Sequence, residues 1–264
     1  MTLHFFCTDR RFRGSLSIDV LGAPRRWSAR QDHRMSTASV LHGISAEVAA
    51  FLLAASCAGC DEPGQLLCTA CRAQLVPRPL RERTPGGLEL RAALAYEGVA
   101  ARCIRRLKGD GETLLARPLG AALSSVLSPV VAPSTWIVPV PTSRGAFRRR
   151  GYRVPELLIR RAGECPQRVL SLVRRSADQR GLGARARAQN VHGAMRARAE
   201  GDGAEAILVD DVVTTGATLD EAARALHVAG FTVVCAVALA ATPKRAVFGE
   251  DSSGTHRRHD ESHQ

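Results

Sequence analysis

Aromatic residues make up only 4% of this 264-residue chain, and lysine is rarer still. Of 37 basic residues, two are lysine, Lys108 and Lys244. Scarce aromatics leave little to stack on bases; near the arginine-rich part of the chain there are only Phe147 and Tyr152. No uninterrupted apolar run reaches the roughly 18 residues of a membrane-spanning helix. The first residues lack the charge, apolar stretch and cleavage-site order of a secretory signal, so a cytoplasmic protein is expected. The phosphate loop GxxxxGK[ST] is absent, which excludes nucleotide binding of that type. Two GxGxxA matches, at 181–186 and 201–206, have no strand before them or helix after them and are not dinucleotide fingerprints.

What is present is arginine, and its distribution is uneven. The net charge is +12. Between Arg144 and Arg198 there are 15 arginines against Glu156, Glu164 and Asp178, a surplus of 12 that matches the charge of the whole chain. A guanidinium is a planar fork of donors well shaped for phosphate. The plainer alternative is a solvated basic surface.

Composition divides the chain. Residues 1–39 are basic and without clear periodicity, as expected of a disordered extension, and Met35 is an alternative start. Residues 249–264 are polar, too poor in apolar groups to order themselves, and form a second expected disordered segment. Residues 40–80 are cysteine-dense. Residues 90–245 alternate apolar β-type runs with helix-type stretches, the pattern of an α/β domain with a parallel sheet flanked by helices. Strands are predicted at 136–140, 206–209 and 232–239. Helices are predicted at 99–107, 114–127, 155–162 and 218–229, the last stopped by Gly230.

Four of the eight cysteines read Cys57-Ala-Gly-Cys60, seven residues, then Cys68-Thr-Ala-Cys71. Two CxxC knuckles at this range bring four thiolates to the corners of a tetrahedron, the arrangement of a structural zinc site. With four protein ligands no position is left for substrate. A disulfide framework suits small secreted chains instead. Cys7, Cys103, Cys165 and Cys235 stand apart in the sequence.

The stretch EAILVDDVVTTGATLDEAARAL, from Glu205 to Leu226, carries the chemistry. An apolar strand leads into Asp210 and Asp211, at the strand end where ligands of open α/β sheets bind. Val213, Thr214, Thr215, Gly216, Ala217 and Thr218 then turn into a helix. A helix start with free N–H groups and several hydroxyls is an anion cradle. Gly216 lets the backbone approach closely, and Thr218 is the expected N-cap. Two carboxylates beside a phosphate repel it unless they hold ribose hydroxyls or Mg²⁺ between them. The pattern describes a ribose 5-phosphate site.

This stretch resembles the phosphoribosyl pyrophosphate motif of the type I phosphoribosyltransferases. The resemblance implies that Asp210 and Asp211 bind ribose hydroxyls and that residues 213–218 bind the 5-phosphate. WIVPVPTSRGAFRRRGY (136–152) resembles the strand and loop that carry pyrophosphate in such enzymes, with Arg144, Arg148, Arg149 and Arg150 as the candidates. Gln179, Gly181, Leu182, Arg187 and Asn190 fall at the spacing of a Q-x-G-L-x₄-R-x-x-N signature within a polar, Gly-containing stretch suited to closing over a site. With the four-cysteine unit in front, the order is similar to the ComF family, competence-associated phosphoribosyltransferase-like proteins, over residues 40–242. Two positions depart from it: Arg153 and Val154 follow Tyr152 where Asn-Gln is usual, and Met195 replaces a usual Phe.

The expected fold is therefore a type I phosphoribosyltransferase-like parallel sheet preceded by a small zinc-ribbon-like unit. Three functions are consistent with it. One is Mg²⁺-dependent phosphoribosyl transfer from phosphoribosyl pyrophosphate, with no residue standing out as general base. Another, implied by the ComF resemblance, is an accessory role in DNA uptake with single-stranded DNA and a helicase as partners. The last is a non-catalytic sensor of phosphoribosyl pyrophosphate. Fold does not decide among them.

Overall fold

The computed structural model describes residues 55–173 and 192–243. The expectations for 1–39, for Gln179, Arg187 and Asn190, and for the 249–264 tail fall outside those residues.

Five strands make one sheet: β1 (Leu80–Arg83), β2 (Glu89–Ala95), β3 (Trp136–Pro139), β6 (Glu205–Val213) and β7 (Thr232–Ala241), in the order β1-β2-β7-β6-β3. All neighbours run parallel except the β1–β2 hairpin. β6 and β7 are near-continuous apolar runs because both faces of a central parallel strand are covered. Each predicted strand is present with shifted ends. The most consequential shift is that of β6, which runs on through Val213 where the sequence predicted a stop at Val209. Val212 and Val213 still pair with Ala240 and Ala241 of β7, and this pairing extends the strand.

The β1–β2 hairpin was not foreseen. The β2 sequence ELRAALA is built from residues that favour helix, and alanine carries little β signal. Pairing on both sides, with β1 and with β7, overrides that local preference.

Helices cover the two faces. On one lie α2 (Gly98–Gly109), α3 (Ala116–Leu127) and α5 (Val154–Arg161); on the other lies α6 (Ala217–Val228). In α2, Ala100, Cys103, Ile104 and Leu107 recur at helical spacing and are buried. Leu115, Leu119, Leu123 and Leu127 make a fully buried stripe through α3 and the 3₁₀ turn before it, Thr113–Leu115. Truncating one of these leucines to alanine costs about 2–5 kcal/mol through lost transfer energy and the cavity left behind. The run Thr113–Val130 is long and apolar enough to cross a membrane, but that stripe packs into the core of the domain.

α5 opens on Val154-Pro155, proline being well placed where its missing N–H has no partner to lose. The short helix α4 (Arg144–Arg150) precedes it and ends at Gly151. Over α6 lies a two-stranded antiparallel ribbon, β4 (Leu170–Leu172) with β5 (Met195–Ala197). Edge-to-face packing of Trp136 on Phe231, centroids 5.5 Å apart, closes the far end of that layer.

The cysteine-dense segment joins the first face. Cys57, Ala58, Leu67, Cys68, Cys71 and Leu75 share one hydrophobic cluster with α2 and α3. The helix α1 (Thr69–Ala73) starts at Cys68, whose side chain caps it by accepting from the Cys71 N–H.

Candidate functional site

Asp210 and Asp211 lie inside β6, not past its end. Because side chains alternate along a strand, the two acids leave it on opposite faces. Asp211 is buried, and its Oδ1 receives the Lys108 ammonium at 2.7 Å. Lys108 sits in the last turn of α2, where the helix dipole favours a cation. Asp210 accepts the N–H of Asp211 at 2.8 Å through its own side chain. Burial, and then the charge of Asp211, push the Asp210 carboxyl up to about 7.

Val213 ends the strand, and its carbonyl accepts the Thr242 N–H at 2.9 Å. Thr214 is exposed, Thr215, Ala217 and Thr218 are partly exposed, and Gly216 is buried. The N-cap of α6 is Gly216, not Thr218: it takes φ +83°, the left-handed conformation that glycine tolerates best. A Cβ there would meet Thr84 at 3.1 Å and Pro85 at 3.2 Å. Thr218 falls in the first turn instead. Among the described residues, the N–H groups of Thr215, Gly216 and Thr218 have no acceptor. They are the unpaired donors of a helix start, with the hydroxyls of Thr214, Thr215 and Thr218 beside them.

A hollow at this loop is lined by Thr84, Leu90, Val213, Thr214, Thr215 and Thr242, among others. Its far wall is the β1–β2 turn, fixed by Asp220 in the first turn of α6. The Thr84 hydroxyl donates to Asp220 Oδ1, and the Gly86 N–H donates to Oδ2 at 2.9 Å. The turn residues and Lys108 were missed in the sequence. Lys108 had one available signal, as one of only two lysines in an arginine-dominated chain.

The arginine candidates sit beside the acid pair in sheet order. The Val140 N–H donates to Val209 O at 2.8 Å, so the chain leaves β3 level with the start of the acidic pair. Arg144, Arg148, Arg149 and Arg150 are on helix α4, not in the loop before it. Ser143 caps that helix, accepting from Ala146 N–H at 3.2 Å. None of the four arginines has an acidic partner among the described residues; Arg144, Arg148 and Arg149 are exposed. Arg153, the departure noted above, is committed elsewhere: its guanidinium lies 4.1 Å over the Phe147 ring and 3.6 Å from Glu156. Buried Glu156 also receives Arg168 at 2.6 Å. Arg153 thus locks α4 onto α5, which accounts for an arginine at that position.

The base of the ribbon is tied to the loop helix. Glu221 of α6 accepts the Met195 N–H at 2.9 Å, and Arg224 donates to Met195 O at 3.3 Å while pairing with Glu221 at 2.7 Å. Burial alone would raise the Glu221 carboxyl; hydrogen bonds from Arg224 and from the Met195 and Gly193 N–H groups outweigh it and bring the group to about 2.

The four cysteines do converge. The sulfurs of Cys57, Cys60, Cys68 and Cys71 all lie within 4.8 Å of one another, with Cys60 and Cys68 3.7 Å apart. A tetrahedron with metal–sulfur bonds of about 2.3 Å has edges of about 3.8 Å, so the spacing fits a metal such as zinc. The Cys57 sulfur accepts from Cys68 N–H at 3.3 Å and Gly59 N–H at 3.4 Å. Burial raises that thiol, but these bonds prevail and lower it to about 6. Gly59 has no room for a side chain: a Cβ would stand 2.6 Å from the Cys71 sulfur and 2.9 Å from Val99. Arg102 reaches from α2 to Gly59 O at 2.7 Å, and Arg106 pairs with Asp61.

Residues 144–253 match the phosphoribosyl transferase domain. That span holds the arginine helix, the acid pair and the Thr/Gly loop, but neither the cysteines nor the β1–β2 hairpin. Among curated proteins, no sequence matches the chain. An allosteric regulatory enzyme of purine biosynthesis is 18% identical over 47% of this chain, with a TM-score of 0.31. A hypoxanthine phosphoribosyltransferase from Staphylococcus aureus is 14% identical over 51% of this chain, with a TM-score of 0.29. An adenine phosphoribosyltransferase is 13% identical over 65% of this chain and 89% of its own, with a TM-score of 0.32. The chain spans 26% of the first of these and 65% of the second. The match to the phosphoribosyl transferase domain thus covers 144–253, within a mixed α/β fold with a mostly parallel sheet.

Proposed function

We propose that this chain binds the ribose 5-phosphate part of phosphoribosyl pyrophosphate, with Asp210 and Asp211 toward the sugar hydroxyls and the 213–218 loop on the phosphate. The observation that carries it is the continuity of the two. An acid pair near the ligand-bearing end of a central strand is followed, five residues after Asp211, by the Gly216 cap of a helix start with unpaired N–H donors. Arg144, Arg148, Arg149 and Arg150, exposed wholly or in part and without acidic partners among the described residues, suit the pyrophosphate end.

In phosphoribosyl transfer, an acceptor nucleophile bonds to the anomeric carbon as its bond to pyrophosphate breaks, and pyrophosphate leaves with the electron pair. Mg²⁺ bound to pyrophosphate would offset the charge that develops there. The chain's own residues hold the phosphate, orient the ribose and meet the leaving group with guanidinium. At the cysteine cluster Zn²⁺ would be held by Cys57, Cys60, Cys68 and Cys71 and would serve structure alone.

Calorimetry with phosphoribosyl pyrophosphate and Mg²⁺ tests the reading. Binding by the wild type that is abolished in Asp210→Asn/Asp211→Asn supports it; absence of wild-type binding refutes it. Pyrophosphate release with a panel of nucleobases then separates an enzyme from a sensor. The same arginines, without acidic partners among the described residues, favour one second reading, a ComF-like accessory of DNA uptake that meets single-stranded DNA and its helicase. Such binding would be electrostatic and would weaken steeply with salt; a flat salt dependence eliminates it.

A further inference from the structure

We propose that Lys108 is a built-in counter-ion of the ribose acid pair, letting the site accept monophosphate ligands of the ribose 5-phosphate class without a divalent cation. This rests on the reading of Asp210 and Asp211 given above. The sequence between the cysteines and residue 136 offers no phosphoribosyl motif, and the matched segment begins at residue 144, so nothing assigns Lys108 to the site.

Two adjacent carboxylates followed at once by a phosphate cradle form a site that repels its own ligand. A pyrophosphate ester can bring Mg²⁺ with it, because neighbouring phosphates chelate the ion. A monophosphate carries no such chelated charge. The structure supplies a cation from the protein instead. The Lys108 ammonium is 2.7 Å from Asp211 Oδ1, and Asp211 is nearly inaccessible to solvent, so the pair is only weakly screened. Position is set from two sides. Leu107 is wholly buried against the sheet, and its carbonyl accepts the Tyr152 hydroxyl, which binds the last turn of α2 to the segment following the arginine helix. Lys108 is therefore delivered to the acid pair by the packing of its neighbours rather than by a free surface side chain. It is also the one lysine among the described residues. A compact ammonium with three rotatable donors can hold Asp211 while leaving the sugar-facing side of the pair open, which a wide guanidinium does less well.

The sign of the metal effect distinguishes this role from a structural ion pair. Removing the lysine charge should leave Asp211 uncompensated, making the site worse for a bare monophosphate and better for a divalent cation. The experiment compares the full-length wild type, Lys108→Met and Lys108→Arg, with folding checked by thermal unfolding. Calorimetry with ribose 5-phosphate is run in EDTA and again with Mg²⁺, and Mn²⁺ binding to the ligand-free protein is followed by electron paramagnetic resonance.

The expected result for Lys108→Met is a loss of about tenfold in affinity for ribose 5-phosphate in EDTA, equal to about 1.4 kcal/mol. Mg²⁺ should restore most of it, and Mn²⁺ should bind the ligand-free variant more tightly than the wild type. Lys108→Arg should keep most metal-free binding. Unchanged affinity in EDTA, or an equal loss with and without Mg²⁺, overturns the proposal. So does a Lys108→Arg variant as weak as Lys108→Met. If the wild type fails to bind ribose 5-phosphate under both conditions, the ribose reading itself falls, and only the Mn²⁺ comparison then bears on the lysine. Unchanged Mn²⁺ affinity in Lys108→Met would end the counter-ion idea independently.

Discussion

Glu221 and Met195 are 26 residues apart in sequence, yet the Glu221 carboxylate accepts the Met195 N–H at 2.9 Å within the buried interior. That bond joins the helix carrying the phosphate loop to the first residue of β5. Arg224, held to the same carboxylate, donates to the other side of the Met195 peptide. The Met195 backbone is thus clamped by a charged pair whose carboxylate is buried.

Loss of this clamp is expected to be costly. Glu221→Ala should destabilise the fold by about 3–5 kcal/mol, because Arg224 is left without its partner in a partly buried place. Chemical denaturation measures it. The carboxyl is lowered on folding, so its contribution is complete above the ordinary glutamate range and fades as pH falls toward about 2. Glu221→Gln should flatten the dependence of stability on pH between about 4.5 and 2, and an unchanged slope would show that other carboxylates set it.

Asp210 has the opposite sign. Its proton is held more tightly in the folded state, up to about 7, so this group favours folding at acid pH and that stabilisation is lost as pH rises toward 7. A sugar or metal ligand needs the carboxylate, so binding should strengthen from pH 6 to pH 8 with proton release to buffer. Calorimetry in buffers of different ionisation enthalpy detects the release. Asp210→Asn should remove the part due to this residue and leave only the ligand phosphate's own titration.

Gly216→Ala should weaken ligand binding at least tenfold and lower stability by about 1–2 kcal/mol, the cost of a left-handed conformation in a residue with a Cβ. The contacts at 3.1 Å to Thr84 add to that cost. An alanine variant of wild-type stability would mean that the turn relaxes freely.

Metal removal should be felt beyond the cysteine segment. Those residues share a hydrophobic cluster with α2 and α3, so chelation or Cys71→Ser should lower the unfolding temperature of the whole domain rather than melt a separate unit. Mass spectrometry under native conditions should show one zinc lost in step. Two independent unfolding transitions would argue against the shared core.

Much of this arrangement was legible in the sequence, for identifiable reasons. The cysteine knuckles and the acid–loop stretch are local patterns in which spacing alone dictates geometry, and the helices at 99–107 and 114–127 announce themselves by period. β2 was hidden because its alanines favour the wrong element until two neighbours pair with it. Thr218 was the obvious cap by residue type, but the turn after Val213 is tight, and Gly216, in the left-handed conformation, takes the position two residues earlier. Lys108 and Thr84 reach the site only through tertiary packing, across about a hundred residues of chain, and no local pattern encodes that.

The contact between Gly216 and Thr84 has a consequence for where this domain can be cut. The recognisable family segment begins at Arg144, but the wall that shapes its phosphate loop, and the strand that covers the open edge of β7, are contributed by residues 80–95. A fragment starting at residue 144 would expose β7 as a bare apolar edge and leave Asp220 without Thr84 and Gly86. The unit that evolution makes recognisable and the unit that folds are different lengths of chain.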